Sequence, residues 1–422
     1  SRREALFPGV ATFVPIFMTW TSSILRLFFF EFFHTYADET CESSAASSFG
    51  KAKLPLVRAG AATLSARPQV QGHGAFPHDH HLWMPDFLKA PTANMPAVFR
   101  YEGSGDSLGY ELGAVLDQIL PEHGAVLVQG FPLNSPHDFS RMALSTNWTF
   151  MEYVGGTTSR PVVAPKVMPA SDEAPTVCME YHNDGSFGAR PPTLLLLYCE
   201  QAPRQGGQAL LYDSRQILKV LKEEHRGILQ ELLERKVRYY QFFPDQKPSK
   251  GIVTLRDAFG SRCGEAWNFS QAVEEYLLAH DYGFEWVANG LRTWNVKSPV
   301  AHHPHSGEET WFNQVTAMHC SVFDNHPAYP ELNRDVSKRS DPCLMRGNMP
   351  FHTTYGDGGE IPLGVLDVLR QVQWNNAVAF DYVAGTVLAI DNYLVAHGRF
   401  SFEPPRAIFT AQATRDIAIG GD

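Results

Sequence analysis

The chain has 422 residues, with 35 lysines and arginines against 45 acidic residues and 44% hydrophobic residues. The ordinary apolar content and the formal net charge of -10 exclude an intrinsically disordered protein. An acidic chain without a long basic run is also a poor candidate for binding nucleic acid through phosphates, so a catalytic globular protein is the leading class.

The first fifty residues differ in composition from the rest of the chain. Two arginines precede an uncharged run that begins at Ala5, and small polar residues follow later, an order that resembles a secretion or organelle-targeting signal. The run has the ~20-residue length of a membrane-spanning helix, although Pro8 and Pro15 dilute its apolar character. We therefore separate residues 1–50, as a targeting signal, a membrane anchor or untranslated sequence, from a single domain over residues 51–422.

Spacing of apolar residues predicts the main elements after residue 50. Helical spacing predicts one helix that begins at Leu108 and ends at Pro121, and a longer helix from Ser214 to about Val237. Short apolar runs predict β-strands over Ala125–Phe131, Thr193–Cys199, Ala209–Tyr212, Val378–Asp381, Thr386–Asp391 and Arg406–Ala413. Strands towards both ends with helical material between them favour a mixed α+β fold, with a jelly-roll (double-stranded β-helix) core and helical insertions, over an alternating βαβ fold.

Several common site classes lack their sequence signatures. The six cysteines lie far apart without a CxxC pair, so we expect mainly reduced, buried thiols, with a scattered disulfide left open. The glycine-rich nucleotide motifs, the GxSxG nucleophile motif and the HExxH zinc motif do not occur.

Histidines form three local groups. His73–His81 is a histidine-rich tract among Gly and Pro, which favours an exposed loop over a metal site. His302–His305 contains three imidazoles within four residues, which favours a turn because these cannot easily converge on one ion. The third group is His182 and Asp184, and it is the most informative.

A His-x-Asp pair on an extended segment places both side chains on one face. His182 and Asp184 would supply two members of the 2-His-1-carboxylate triad that binds Fe(II) and leaves positions open. Alone the pair is weak, because chance supplies about two such triplets at these residue frequencies, and a polar surface turn is the alternative. A third ligand is expected from a distant strand, and the predicted strand Thr386–Asp391 leads to His397.

Arg406 follows His397 and opens the last predicted strand. A guanidinium on rigid β structure is suited to bind a carboxylate of a cosubstrate with two hydrogen bonds. A surface salt bridge is the alternative for this residue.

Two segments, Tyr181–Asp213 and Asp391–Ala413, resemble the taurine dioxygenase (TauD/TfdA-like) family, and its plant clavaminate synthase-like branch is the most similar. Shorter stretches match the same family in the same order: Glu152–Gly156 with Arg160, His303–Glu308, Trp311–Gln314 and Tyr355–Gly358. The resemblance extends from about Gly124 to the end of the chain. The combination is specific, whereas no single stretch is.

The resemblance implies a double-stranded β-helix dioxygenase that uses Fe(II), 2-oxoglutarate as cosubstrate and O₂. Carried over by position, His182, Asp184 and His397 become the catalytic metal ligands, and Arg406 becomes a cosubstrate-binding residue.

Two positions depart from the family pattern. Ala209 stands where a threonine near the cosubstrate is usual, and Thr410 stands where many members carry a second arginine. The iron site is unaffected by these changes. Arg399 could supply a second positive charge to the cosubstrate.

The implied reaction is hydroxylation or desaturation of a small organic substrate, amino-acid-like or carboxylic-acid-like, with release of succinate and CO₂. Trp311, Asn313 and Phe187 flank the motifs and are candidate substrate-binding residues, with packing or capping as the alternative. The expected partner is a small molecule, not nucleic acid, and membrane association is expected only through residues 5–33. The sequence leaves the compartment open between cytoplasmic and organellar, with the N-terminal segment as a candidate targeting signal, and it does not indicate the oligomeric state.

Three other functions share some of these features. A cupin-type metal enzyme would have the jelly roll and the histidines without needing Arg406. A JmjC-type hydroxylase typically holds its cosubstrate with a lysine, which is absent around Arg406. A degenerate family member would act as a binding module, which Ala209 and Thr410 make conceivable.

Overall fold

The computed structural model describes residues 56–64, 91, 94–103, 108–156, 160–246, 253–264, 266–323 and 349–414. The segment over residues 1–50 and the histidine tract His73–His81 lie outside the described residues, so the predictions for them and for the boundary at residue 50 stay predictions. No helix in the described ranges combines the length and the apolar character that crossing a membrane requires.

The described chain contains both helices and strands. The α-helices are α1 Leu108–His123, α2 Pro136–Leu144, α3 Ser214–Glu224, α4 Arg226–Arg235, α5 Leu255–Cys263, α6 Phe269–Ala279 and α7 Leu363–Asn375, and a 3-10 turn covers Cys320–Phe323. The first ten strands are β1 Leu56–Ala61, β2 Ala97–Tyr101, β3 Ala125–Gln129, β4 Thr149–Phe150, β5 Met168–Pro169, β6 Met179–His182, β7 Leu194–Gln201, β8 Gln205–Gly206, β9 Ala209–Asp213 and β10 Val237–Pro244. The others are β11 Gly283–Val287, β12 Gly290–Lys297, β13 Val300–His302, β14 Glu309–Trp311, β15 Phe351–Tyr355, β16 Val378–Phe380, β17 Thr386–Asp391, β18 Val395–Arg399, β19 Phe402–Glu403 and β20 Ala407–Thr414.

The larger sheet has the strand order β1-β2-β3-β17-β7-β20-β4, with β5 also paired to β20. Its central strand β7 contains four consecutive leucines because both faces of the sheet are buried. Leu194 and Leu196 pack with α1 and α2 on one side. Leu195 and Leu197 face the opposite side and pack with the second sheet.

The second sheet has the order β16-β9-β18-β6 and packs across this inner core. Its outer face is covered by α3, α4 and α7. The fold is therefore a jelly roll with helical insertions in the mixed α+β class, and the predicted fold class is confirmed.

An additional layer lies beside the jelly roll. Strands β11, β12, β10 and β15 form a four-stranded sheet, and α5 and α6 pack on it around an apolar cluster of their own. This layer supplies part of the wall of the large cavity described below.

Two helix predictions differ from the structure. The first helix continues past Pro121 to His123, because a proline in the last turn removes only one hydrogen bond. The predicted long helix is two helices separated at His225, whose backbone leaves the helical region, and Val237 already begins β10. The alternating buried residues of β10 explain why this segment pairs as a strand.

Cys178, Cys199 and Cys263 are free and buried, as predicted. Cys320 is in a disulfide, which is the scattered disulfide left open by the sequence.

Candidate metal centre and its cavities

The two predicted histidine ligands lie on neighbouring strands. His182 ends β6, and His397 lies within β18, directly opposite it in the antiparallel register. Their imidazole ring centroids are 4.4 Å apart, on the inner face of the second sheet. Gly398 permits this close pairing, because a Cβ there would lie 2.7 Å from the carbonyl oxygen of Met179.

Asp184 lies in the turn that follows β6. One ligand atom from each of His182, Asp184 and His397 lies within 4.8 Å of the others. The structure therefore brings together the three residues that the sequence selected.

Asn392 fixes the turn that carries Asp184. Its side-chain oxygen accepts from the Asp184 backbone N–H at 2.9 Å, and its amide donates to the Asp184 carbonyl at 2.9 Å and to the Pro192 carbonyl at 2.8 Å. The Asn392 carbonyl also accepts from the Asn183 side chain at 2.8 Å. Asn392 precedes β18, so these bonds connect the two parts of the chain that carry the ligands.

The two carboxylate oxygens of Asp184 have different surroundings. Oδ1 lies 3.4 Å from His182 Nε2. Oδ2 accepts from Gln412 Nε2 at 2.8 Å and lies 3.7 Å from Arg160 Nη1. Burial of the carboxyl favours its neutral form, but the Arg160 guanidinium is the main opposing influence, and the pKa of Asp184 stays well below its usual range.

Both imidazoles are suited to binding a metal as neutral ligands. His182 Nδ1 is 2.8 Å from the Glu180 carbonyl oxygen, which can only accept, so Nδ1 carries a proton and Nε2 is the nitrogen that could bind a metal. Burial first, and then the adjacent His182, lower the pKa of His397 to about 3. His397 Nδ1 is buried without a hydrogen-bond partner among the described residues.

These donors fit Fe(II). The lone pair of His182 Nε2 and the anionic Asp184 Oδ1 face each other at 3.4 Å, an arrangement that a cation between them would stabilise. Two neutral imidazoles and one carboxylate are the donor set of non-heme Fe(II) oxygenases.

A second group of donors, His319, Cys320 and His352, is also buried and close together. It does not fit a metal, because the Cys320 sulfur is in a disulfide and His352 Nε2 bonds with Glu360 at 3.0 Å.

The predicted arginines line a small cavity beside the ligands. Arg399 and Arg406 share its wall with His182, His397 and Ala209. Neither arginine forms an ion pair with a described residue, and the Nε of each is buried without a hydrogen-bond partner in the described structure.

The charge on these arginines is unfavourable in the protein alone. Burial, followed by the charge of Arg406, lowers the pKa of Arg399 to about 9, and burial also lowers the pKa of Arg406. Arg399 donates to the Ala174 and Val177 carbonyls at 3.4 and 3.1 Å and is near the Glu173 carboxyl, whereas Arg406 has no anionic partner in the described residues. This cationic wall fits one carboxylate of a dicarboxylate cosubstrate. Thr410 is buried on β20 but is absent from the described lining of this cavity.

A larger cavity of about 610 Å³ opens on the other side of His182 and Asp184. Its described lining includes Phe187, one of the predicted substrate residues. It does not include Trp311 or Asn313. Trp311 is fully buried in the core. Asn313 is also buried; its backbone N–H donates to the Asn183 side chain and its side-chain amide to the Pro299 carbonyl. For these two residues the structure corrects the predicted substrate contact in favour of packing and positioning.

A buried ion pair supports the ligand strand and was not predicted. Arg370 on α7 donates to Glu180 at 2.8 Å, and also to the Thr316 carbonyl and the Ser321 hydroxyl. Glu180 precedes His182 by two residues and orients its imidazole through the carbonyl oxygen.

Sequence reasoning also missed the roles of Asn392, Gln412 and Arg160. Asn392 and Gln412 contact Asp184 across 208 and 228 residues, and no local spacing marks such pairs. Arg160 was noted only as part of the family resemblance. The group at His302–His305 is a turn as expected, with His303 buried 3.0 Å from Asp391 Oδ2.

Comparison with known proteins gives a consistent picture. The family profile described as "Taurine catabolism dioxygenase TauD, TfdA family" matches residues 93–412. The chain is 28% identical over 297 residues to the dapdiamide synthesis protein DdaC of Enterobacter agglomerans, covering 70% of this chain and 84% of that protein. It is 28% identical over 305 residues to a clavaminate synthase-like protein of Arabidopsis thaliana, covering 70% and 83% respectively. A solved taurine dioxygenase from Burkholderia xenovorans aligns with a TM-score of 0.41 and 14% identity over 78% of this chain and 89% of its own.

Proposed function

Because the chain belongs to the TauD/TfdA family of Fe(II)- and 2-oxoglutarate-dependent dioxygenases, we propose that it hydroxylates or desaturates a small organic substrate with an amino-acid-like or carboxylic-acid-like skeleton. The observation that carries this proposal is the position of Arg399 and Arg406, each with an unpartnered Nε, in a cavity that shares His182 and His397 with the candidate metal centre. That juxtaposition suits a cosubstrate that reaches a metal with one end and a cation with the other.

His182, Asp184 and His397 would hold the metal. When bound, Fe(II) activates O₂ and, with 2-oxoglutarate as the co-reductant, oxidises an unactivated C–H bond while succinate and CO₂ are released. His182 and Asp184 also line the large cavity, so a metal held by them would be accessible from it.

Arg406 and Arg399 would bind the distal carboxylate of 2-oxoglutarate. Arg399 would supply the second positive charge that many family members carry at the position of Thr410. The surrounding Leu197 and Tyr382 exclude water and strengthen these ion pairs.

The larger cavity would bind the substrate. Its volume of about 610 Å³ lies in the range of small-molecule sites. Aromatic residues such as Phe187 and Tyr153 offer apolar contacts, while Arg160 keeps the metal side of the wall cationic.

The match to the TauD/TfdA family profile favours this family over the cupin-type and JmjC-type alternatives. The binding-module alternative has no support in the site, since all three donors are present and close together.

The test is an anaerobic titration of the metal-free protein with Fe(II) and 2-oxoglutarate, followed by visible absorption. We expect the weak charge-transfer band of a 2-oxoglutarate chelate in the wild-type protein and its loss in Asp184→Ala and His397→Ala. Circular dichroism should show the same fold in all three proteins. A band of equal strength in the variants would contradict the ligand assignment, and no band in any protein would contradict the proposed function.

A further inference from the structure

Gln412 lies on β20, a strand that pairs with β7 in the centre of the large sheet. Its side chain is buried, and Nε2 is 2.8 Å from Asp184 Oδ2. The direction of this bond is fixed by chemistry, because a carboxylate accepts and only the amide nitrogen of glutamine donates.

Oδ2 of Asp184 therefore accepts a hydrogen bond from Gln412 and lies 3.7 Å from the Arg160 guanidinium. Oδ1 lies 3.4 Å from His182 Nε2. A carboxylate whose second oxygen is held by a charge-assisted hydrogen bond presents only the first oxygen to a metal.

We propose that Gln412 is a positioning residue for the metal ligand Asp184, and that it restricts this carboxylate to one metal-binding oxygen. The proposal rests on the proposed function, since it assumes a metal between His182, Asp184 and His397. Without the Gln412 amide, the Asp184 side chain could rotate and present both oxygens to the metal. The second oxygen would then occupy a coordination position that the cosubstrate or O₂ needs.

Gln412 also lines the large cavity, so a contact with substrate or simple packing would be the competing explanations. Metal affinity without substrate and without cosubstrate separates these roles, because neither competing role acts on the metal alone.

The experiment uses the full chain stripped of metal and titrated with Mn(II), with free Mn(II) measured by electron paramagnetic resonance. Gln412→Leu should weaken Mn(II) binding by about 10–100-fold, the usual effect of losing a partner that orients a ligand. Gln412→Asn keeps an amide that is too short to reach Oδ2, so it should show a loss in the same direction if the leucine variant folds poorly.

The matched control is Gln241→Leu. Gln241 is also buried and also donates one hydrogen bond, to the Gly155 carbonyl at 3.1 Å, without contacting a ligand. Its loss should lower the free energy of unfolding and leave Mn(II) affinity within twofold of the wild type.

A second measurement reads the binding mode of the carboxylate. In infrared difference spectra of the Mn(II)-bound minus metal-free protein, the gap between the antisymmetric and symmetric carboxylate stretches should be narrower in Gln412→Leu, as expected for a carboxylate that binds through two oxygens.

The outcomes are distinct. Mn(II) affinity within twofold of the wild type in both Gln412 variants, with an unchanged infrared difference spectrum, would overturn the positioning role. Failure of the wild-type protein to bind Mn(II), or equal binding by His397→Ala, would instead overturn the metal centre and with it the proposed function.

Discussion

Arg399 is buried and Arg406 is partly buried, and neither forms an ion pair with a described residue. Burying such a charge lowers the stability of the folded state, because the loss of hydration is offset only when the charge has an oppositely charged partner. Their position beside His182 and His397 indicates that the partner is a ligand.

We expect Arg406→Ala to weaken 2-oxoglutarate binding by about 10–100-fold, since charge-assisted hydrogen bonds of ~1.5–3 kcal/mol are lost. The measurement is the midpoint of the anaerobic 2-oxoglutarate titration at fixed Fe(II). Arg399→Ala should show a loss in the same direction. The control is Arg292→Ala, whose guanidinium bonds with Glu285 at 3.2 Å on the surface. An unchanged midpoint in Arg406→Ala with a large shift in Arg399→Ala would assign the main role to Arg399.

Among individual residues, those that belong to a local motif or to a family motif could be predicted from the sequence. His182 and Asp184 are close in sequence, and the strand that leads to His397 could be recognised from its apolar run. Gln412 and Asn392 could not be predicted, because their contacts with Asp184 exist only after strands far apart in the chain have paired.

Among the elements, the turn after β6 and the segment before β18 behave as one unit because Asn392 connects them. We expect Asn392→Leu to lower the free energy of unfolding by about 3 kcal/mol or more, since three buried backbone groups lose their partners at ~1–3 kcal/mol each. Urea unfolding measures this loss, and a Mn(II) titration should show weaker binding.

The control for this substitution is Asn376→Leu at the end of α7, where the side chain donates to the Val372 carbonyl at 2.9 Å. Only stability should fall in the control. Full Mn(II) affinity in Asn392→Leu would mean that the turn keeps its shape without the asparagine.

The contact between β6 and α7 depends on the Glu180–Arg370 ion pair. Arg370→Leu should destabilise the protein by about 3–5 kcal/mol, because it leaves a buried carboxylate without a partner. The double variant Glu180→Gln with Arg370→Leu should recover part of this loss. A double-mutant cycle from urea unfolding checks the coupling, and additive losses would contradict it.

The stability of the Arg370→Leu variant should also depend on pH. Burial raises the pKa of Glu180 and Arg370 opposes that rise, so removing Arg370 raises the pKa further. A carboxyl whose pKa is higher in the folded state takes up a proton on folding. Its contribution to the free energy of unfolding is therefore highest at low pH and falls as the pH rises above ~4.3, the pKa of the unfolded state. The deficit of Arg370→Leu relative to the wild type should therefore be smaller at pH 5 than at pH 8.

Helices and strands with a clear period of apolar residues could be predicted from the sequence. The residues at which these elements end were predicted less well. Strand β17 has the predicted bounds, because its alternating faces are both buried. The helix after Ser214 was predicted too long, because it breaks at His225 and because the residues after Lys236 pair as a strand with β12 and β15. Such tertiary pairing overrides the helical propensity of a short segment.

For the whole molecule, the two sheets enclose the metal centre, so ligands that bind there should stabilise the entire jelly roll. Metal at about 100 times its dissociation constant should add ~2.7 kcal/mol and raise the Tm by a few degrees, and 2-oxoglutarate at the same excess should add a further stabilisation. Differential scanning calorimetry with and without chelator measures the shift. His397→Ala should show no shift, and an equal shift in that variant would place the stabilising site elsewhere.

The direct pairing of His182 with His397 across β6 and β18 has a consequence for biosynthesis. If these strands slipped by one residue, every side chain of the slipped strand would turn to the opposite face, and the two imidazoles could no longer meet. Under the proposed ligand assignment, iron would be retained only by chains with the correct strand alignment, so metal loading would distinguish them from misaligned chains.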